Sequence, residues 1–177
     1  IQKGADINMF NKDGFAPVHL ASINRRRQVI ALLLKQGVGV NTKDKINERT
    51  ALHYASAKGF SRVVKLLLYN GASVDAEEGI FSRTSLHLAS RQGNVETVRI
   101  LLTHGADPNM DDDAGDRPLH EAAYKGNLKI VKMLCLAGAN TELRNNDDLQ
   151  PIDLAQGFEQ SDCVDFLEMV DKKVGNM

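Results

Sequence analysis

The sequence is poor in the residues that build disulfide-rich, membrane-spanning or aromatic-rich proteins. Its 177 residues include two cysteines, four prolines, 5% aromatic residues and no tryptophan. No apolar run approaches the roughly 20 residues that a membrane-spanning helix needs, and the first residues do not resemble a signal peptide. Cys135 and Cys163 are too few for a disulfide framework or a cysteine-rich zinc site, so we expect a reducing, intracellular environment.

Motifs that carry catalysis or bind metals are also missing from the sequence. No set of histidine, cysteine and aspartate residues falls at a catalytic or metal-binding spacing, and no glycine-rich phosphate loop occurs. The run Asp111-Asp112-Asp113 lacks the ligand spacing and the final glutamate of an EF-hand, which favours an acidic turn over a calcium site. We therefore expect a protein that is not an enzyme and that binds no cofactor or metal ion.

Charge of one sign is concentrated in each half of the chain, although the net charge is only −1. Residues 1–70 contain twelve lysines and arginines against four acidic residues, which gives +8. Residues 71–177 contain ten against nineteen, which gives −9. This charge asymmetry can guide association with a charged partner. Alternatively, it reflects only solvent-exposed faces whose composition has changed without a functional role.

A repeat of about 33 residues organises the chain. Similar blocks begin at residues 16, 50, 84, 117 and 150, and the third block reads Thr84-Ser85-Leu86-His87-Leu88-Ala89. Both this period and this Thr-Pro-Leu-His-like block resemble those of ankyrin repeats. A second, Gly-Ala-Asp-like block keeps the same spacing and begins at Gly4, Gly37, Gly71, Gly105 and Gly138.

The resemblance implies an all-α fold: an ankyrin-repeat solenoid of stacked helix-loop-helix units with projecting β-turn fingers. We expect one domain over residues 1–177, monomeric in isolation. Because its first residues match the end of a repeat, we expect the chain to belong to a longer protein. The expected units are a partial repeat at 1–8, repeats at about 9–41, 42–75, 76–109 and 110–142, and a C-terminal capping repeat at 143–177.

The ends of the predicted helices follow simple stereochemical rules. The first residue of each block is the predicted N-cap of an inner helix, where the hydroxyl of Thr50 or Thr84 can accept a backbone N–H. Gly59, Gly93 and Gly126 follow the inner helices, where a left-handed residue ends a helix.

Departures from the repeat pattern occur at one helix end and in two turns. Arg25 stands where the next three repeats have the glycine that ends the inner helix, and a left-handed arginine should cost about 1–2 kcal/mol. The turns at 37–50 and 71–84 each carry one extra residue, and they have Glu48 and Ser82 where two other turns have Gly14 and Gly115. Extra residues in repeat arrays collect in loops, often on the binding face.

The resemblance also assigns roles to two polar positions of the repeat. In the family, the histidine of the block is structural and bonds to the cap and to neighbouring turns; here it is His19, His53, His87 and His120. In eukaryotic relatives, an asparagine that closes the Gly-Ala-Asp-x-Asn turn can be hydroxylated by an oxygenase. The matching positions are Asn8 and Asn109, with Asn41 in a partly matching context.

Ankyrin arrays commonly bind proteins along a concave face formed by inner helices and fingers, so the resemblance implies a protein or peptide partner. The charge asymmetry predicts a partner that is acidic near the first two repeats and basic near the third and fourth. Aromatic residues and arginines are frequent hot spots, and the apolar pair Ile80 and Phe81 stands out at a turn tip. The alternative is that Phe81 folds back to shield the inserted residue. The candidate contact residues are Phe15, Ile23, Lys45, Ile46, Arg49, Lys58, Ile80, Phe81, Arg83, Arg91, Asp112, Asp113, Asp116, Tyr124, Lys125 and Phe158.

Two other functions remain open from the sequence. The array can be the docking domain of a larger enzyme or channel, or its basic half can bind an anion such as nucleic acid or a phosphoinositide. The lack of a basic recognition helix with interleaved aromatic residues disfavours nucleic acid. The residues of this anion-binding alternative are Arg25–Arg27, Lys43, Lys45, Lys58, Arg62 and Lys65.

Overall fold

The computed structural model describes residues 6–174, so residues 1–5 of the predicted partial repeat lie outside it. Within the described part there are ten α-helices and no β-strand, which confirms the all-α prediction. The helices are α1 (Pro17–Ile23), α2 (Arg27–Lys35), α3 (Ala51–Ala57), α4 (Ser61–Tyr69), α5 (Ser85–Arg91), α6 (Val95–Thr103), α7 (Pro118–Tyr124), α8 (Leu128–Leu136), α9 (Pro151–Gly157) and α10 (Ser161–Val174).

The helices form five antiparallel pairs that stack in chain order. The odd-numbered helices are the inner helices, and each packs against the inner helix of the next pair; the even-numbered outer helices stack behind them. Small and branched side chains fill the layer between the two rows, and Leu52, Leu67, Leu86, Leu101 and Ile130 are all fully buried. No helix of the described residues is long and apolar enough to cross a membrane.

The start of each inner helix is held by the side chain three residues after the N-cap. The backbone N–H of Thr50 donates to Nδ1 of His53 at 3.1 Å, and the same bond recurs in three other repeats. The Thr50 hydroxyl contacts that ring nitrogen at 2.9 Å and makes no bond to a backbone N–H, whereas the Thr84 hydroxyl accepts the His87 N–H at 3.5 Å. The predicted hydroxyl cap is therefore formed at Thr84 and not at Thr50, although both hydroxyls contact the histidine ring nitrogen at 2.9 Å.

The same histidines tie each repeat to the following finger. Because Nδ1 accepts a hydrogen bond, the proton of the neutral ring lies on Nε2 and is donated to a carbonyl oxygen in the next turn. The accepting carbonyls belong to Thr42 (2.8 Å, from His19), Arg83 (3.2 Å, from His53), Asp116 (3.0 Å, from His87) and Leu149 (3.1 Å, from His120).

Among residues 6–174, five residues other than glycine have a left-handed backbone, and all five stand where other repeats have glycine. Arg25 has a φ of 57°, as predicted, and Glu159 has a φ of 58° at the equivalent place in the last repeat. Glu48, Ser82 and Asp148 have φ values of 52°, 53° and 62°, two residues before their blocks. The backbone geometry of the repeat is thus kept even where the side chain makes it unfavourable.

The turns between helix pairs project as five fingers: finger 1 (6–16), finger 2 (37–50), finger 3 (71–84), finger 4 (105–117) and finger 5 (138–150). Neighbouring fingers are joined near their tips by one backbone hydrogen bond each, so the fingers form a continuous row beside the inner helices. These bonds run from Lys45 to Gly14 (3.0 Å), Gly79 to Asn47 (2.8 Å), Asp113 to Phe81 (3.0 Å) and Asn146 to Ala114 (2.9 Å).

Candidate partner-binding face

The tips of the two longer fingers expose apolar side chains. Ile46 in finger 2 is 55% exposed, and Ile80 and Phe81 in finger 3 are 46% and 48% exposed. One face of Phe81 is covered by the Arg83 guanidinium, 4.9 Å from the ring centre. Phe81 therefore does not fold back fully, and a partner can contact its open side.

In four fingers, one polar side chain accepts hydrogen bonds from the backbone N–H groups of its own turn. In finger 2, the Asp44 carboxylate accepts the N–H groups of Ile46, Asn47 and Arg49 at 2.8, 2.8 and 3.0 Å. Such a turn keeps the tip rigid in the absence of a strand. Asn11, Asp112 and Asn145 do the same in fingers 1, 4 and 5.

Finger 3 lacks this anchor. Glu78 replaces the aspartate, and it accepts no backbone N–H from its finger within the described residues. One carboxylate oxygen bonds the Arg49 guanidinium, and the other is buried without a hydrogen-bond partner. The finger that exposes Ile80 and Phe81 therefore lacks the internal side-chain anchor of the other four, although backbone hydrogen bonds join it to both neighbouring fingers.

Arginines at the edge of the face are fixed by buried carboxylates. Arg83 donates from Nε to Asp112 at 3.0 Å, and Arg91 donates to both oxygens of Glu121 at 2.9 and 3.1 Å. Burial raises the pKa of Glu121, while the hydrogen bond and charge of Arg91 act against that shift. The hydrogen bonds that Arg91 donates to Glu121 raise the pKa of Arg91, and the contact with both carboxylate oxygens keeps the guanidinium in place.

An aromatic groove lies between the fingers and inner helices of the last two repeats. The rings of Tyr124 and Phe158 pack edge to face, with centres 4.3 Å apart, and Phe158 remains 51% exposed. They line a groove of about 240 Å³ together with Asp116, Asp147 and Glu121. The ion pairs among residues 6–174 leave Asp116 and Asp147 without a cationic partner. The lining of this groove thus combines two aromatic rings with carboxylates that form no ion pair.

The predicted contact residues at the other end of the array are less open. Phe15 is half-buried, with its ring centre 5.9 Å from that of Tyr54, and Ile23 is also half-buried. Lys45 and Lys58 are exposed, and the Lys45 ammonium lies 4.6 Å from the Phe10 ring centre. This end offers positive charge more than apolar surface.

Four of the predicted contact residues lie together in the aromatic groove, whereas another predicted contact residue, Asp112, is buried. Arg91, Asp116, Tyr124 and Phe158 line the same groove. Asp113 and Lys125 are exposed, whereas Asp112 is buried and its carboxylate is used within finger 4 and by Arg83. Asp112 therefore supports the face from below its surface.

Sequence reasoning missed two buried carboxylates that organise this face. Glu121 stands on α7 at a position where α1, α5 and α9 have leucine, so a carboxylate in an apolar register was a readable signal. Glu78 offered a weaker signal, because it replaces the aspartate or asparagine that the other fingers carry.

Two of the asparagines considered for hydroxylation connect neighbouring repeats. Asn41 donates to the Gly71 carbonyl at 3.2 Å and accepts the Ser73 N–H at 2.8 Å. Asn109 makes the equivalent bonds to Gly138 and Asn140 at 3.0 and 2.8 Å. Hydroxylation of these residues and of exposed Asn8 stays a prediction.

The basic residues of the anion-binding alternative divide between two places. Arg27, Arg62 and Lys65 line a single groove on the outer helices α2 and α4. The lysines at 43, 45 and 58 do not line it; they lie in finger 2 and directly after α3. The outer helices also expose Tyr69, which lines this groove, and Leu136 on α8; these side chains are 78% and 89% exposed.

Comparison with known proteins agrees with this architecture. A family profile described as ankyrin repeats in three copies matches residues 1–78 and 76–147. An ankyrin repeat protein of fowlpox virus (strain NVSL) is 37% identical over 54 residues, which is 30% of this chain and 9% of that protein. The chain thus matches a small part of that relative, and the family match covers most of the chain. This protein belongs to the ankyrin-repeat family.

Proposed function

We propose that this chain binds a partner protein or peptide along the concave face formed by its inner helices and fingers. Ankyrin repeats are generally protein–protein interaction modules, and this face carries the features that the function needs. The observation that carries the proposal is the row of Ile46, Ile80, Phe81 and Phe158, which are about half exposed along the fingers and inner helices. Covering apolar surface of this kind with a partner removes it from water, which is favourable for binding.

The charges on the face suggest the chemistry of that partner. Near finger 2, exposed Lys45 and Lys58 favour an acidic segment, whereas Arg49 and Arg83 are already paired with Glu78 and Asp112. Around the aromatic groove of the last repeats, Asp116 and Asp147 favour a lysine or arginine of the partner, which can also stack on the rings. A partner with an acidic and a basic segment would therefore bind in one orientation.

Capture from cell lysate with mass-spectrometric identification tests this proposal. The parent chain is compared with the double variant Phe81→Asp/Tyr124→Asp, which places two charges on the concave face. A partner that binds through this face is captured by the parent and lost from the variant, because burying an unpaired carboxylate is costly.

The matched control is Tyr69→Asp/Leu136→Asp, which makes similar changes on the more exposed side chains of the outer helices. This control should keep the partner. Loss of the partner from the outer-helix variant and its retention by the concave-face variant would refute the proposal. A complex that dissociates in moderate salt whichever variant is used would point to charge alone as the binding force.

A further inference from the structure

We propose that the outer helices α2 and α4 form a binding site for a ligand with clustered phosphate groups, such as an inositol polyphosphate. Arg27 on α2 and Arg62 and Lys65 on α4 line one groove of about 350 Å³, together with Leu66 and Tyr69. Three cations thus face one solvent-filled space, and they come from two different repeats. The site is separate from the concave face, so its test is independent of the partner-binding proposal.

A second groove of about 430 Å³ shares Arg27 and extends the positive surface. Arg25, Arg26 and the first residues of α2 form its lining. None of the five cations of the two grooves forms an ion pair among residues 6–174, although the Glu96 carboxylate lies close enough to Lys65 for an electrostatic interaction. Their mutual repulsion is unfavourable, and a bound polyanion removes it. Arginine forks and lysine ammonium groups are the side chains that bind phosphate oxygens best.

The next outer helix ends this basic surface. Arg62 and Lys65 correspond, one repeat later, to Glu96 and Arg99 on α6. Glu96 and Arg99 neutralise each other through hydrogen bonds of 2.6 and 2.9 Å. Beyond α6, the groove between α6 and α8 has a largely apolar lining that includes Leu102, Met133 and Leu136. The basic surface of α2 and α4 is therefore interrupted at α6, although the equivalent positions on α8 again carry lysines, Lys129 and Lys132.

This compact shape favours a small polyphosphate over a nucleic acid. A nucleic acid presents a long row of phosphates, and proteins that bind it follow the backbone with an extended basic surface. Here five cations surround two adjoining grooves within two repeats. An inositol ring that carries several phosphates places its charges close together, and such a ring occurs both in free inositol phosphates and in phosphoinositide headgroups.

Calorimetric titration of the full chain with inositol hexakisphosphate tests the site, at roughly physiological ionic strength. We expect one ligand to bind per chain and to raise the melting temperature, because it binds only the folded state. Arg62→Gln/Lys65→Gln should weaken binding at least about tenfold, since two charge-assisted phosphate contacts are lost.

The matched control is Lys129→Gln/Lys132→Gln, which removes two charges from the equivalent positions of α8. This control should change the affinity less than about twofold if the site is local to α2 and α4. Equal weakening by both variants would show that net charge alone attracts the anion, and absence of binding by the parent chain would also overturn the proposal. Amide shifts on α2 and α4 in NMR spectra should locate the ligand.

Two further measurements identify the source of the phosphate groups. Sedimentation with vesicles that contain phosphatidylinositol 4,5-bisphosphate, compared with phosphatidylserine vesicles of equal charge, tests a lipid headgroup. Binding to the former alone assigns the site to a phosphoinositide, and titration with the free inositol phosphate but no vesicle binding assigns it to a free ligand. A short DNA duplex that binds more tightly than the inositol phosphate through Arg62 and Lys65 would overturn the choice of a small polyphosphate.

Discussion

At the scale of single residues, Arg25 shows how a repeat backbone overrides a side-chain preference. Its φ of 57° is one that glycine adopts freely and arginine does not. We expect Arg25→Gly to raise the free energy of unfolding by about 1 kcal/mol, since relief of the left-handed strain exceeds the loss of the weak contact between Arg25 and the Phe60 ring. Thermal and urea denaturation measure the change.

The adjacent residue provides the control for this prediction. Arg26 is also exposed, but its φ is −84°, which suits arginine. Arg26→Gly should therefore lower stability by a few tenths to about 1 kcal/mol, because glycine only adds freedom to the unfolded chain there. If both variants shift stability in the same direction, the left-handed strain at Arg25 is not the cause.

The four block histidines make stability depend on pH. Burial lowers the pKa of His53 to about 4, and it also lowers the pKa values of His19, His87 and His120. Because the unfolded chain binds these protons more tightly, the stabilisation is complete above about pH 6.5 and is lost as the pH falls toward 4. For His53 alone the loss is on the order of 3 kcal/mol. The raised pKa of Glu121 acts in the opposite direction.

Urea denaturation across this pH window and NMR of the imidazole rings check the prediction together. The denaturation midpoint should fall steadily below pH 6.5, and the His53 ring should stay neutral at pH 5.5 with its proton on Nε2. Ring signals that titrate near the ordinary histidine pKa would contradict the buried hydrogen-bonded network.

At the scale of the elements, finger 3 lacks the side chain that accepts backbone N–H groups in the other fingers, and a single substitution can supply it. Asp44 holds a finger of the same length through three backbone N–H groups, and Asp112 both holds its finger and pairs with Arg83. An aspartate can thus do both tasks. We expect Glu78→Asp to stabilise the protein by about 1 kcal/mol, because the finger amides regain an acceptor and the unpartnered oxygen is satisfied.

The contrasting variant is Glu78→Gln, which keeps the longer side chain and removes its charge. It should destabilise the protein, since it weakens the contact with Arg49 and still provides no anchor for the finger. Hydrogen exchange at the amides of Ile80 and Phe81 separates the two effects: it should slow in the aspartate variant alone. Faster exchange there in Glu78→Asp would show that the glutamate is the better anchor.

The sequence predicted elements of this fold well and predicted side-chain contacts less well. The period and the left-handed Arg25 were readable, because backbone geometry repeats with the sequence block. The role of Asp112 was not readable, because its partner Arg83 belongs to the preceding repeat and is brought close by stacking. The aromatic groove needed residues of two successive repeats, whose approach no single repeat determines.

At the scale of the whole molecule, the charge distribution matches the separation of two surfaces. The basic half contains the unpaired cations of α2 and α4, and the acidic half contains the aromatic groove with Asp116 and Asp147. A stack of pairs that contact mainly their neighbours allows such division, because each repeat can vary its exposed residues without repacking distant ones.

The same neighbour-only contacts determine how the molecule should respond to damage in its core. Leu101 on α6 is fully buried, so Leu101→Ala should lower the free energy of unfolding by about 2–5 kcal/mol. The matched control Leu136→Ala, at a side chain that is 89% exposed, should change stability by less than about 0.5 kcal/mol. Hydrogen exchange should accelerate most in α5 and α6 and in the outer helices α4 and α8 that pack on α6, and least in α1 and α2. Equal acceleration in all ten described helices would mean that the array unfolds as one unit, and the additive behaviour expected of a repeat stack would then not hold.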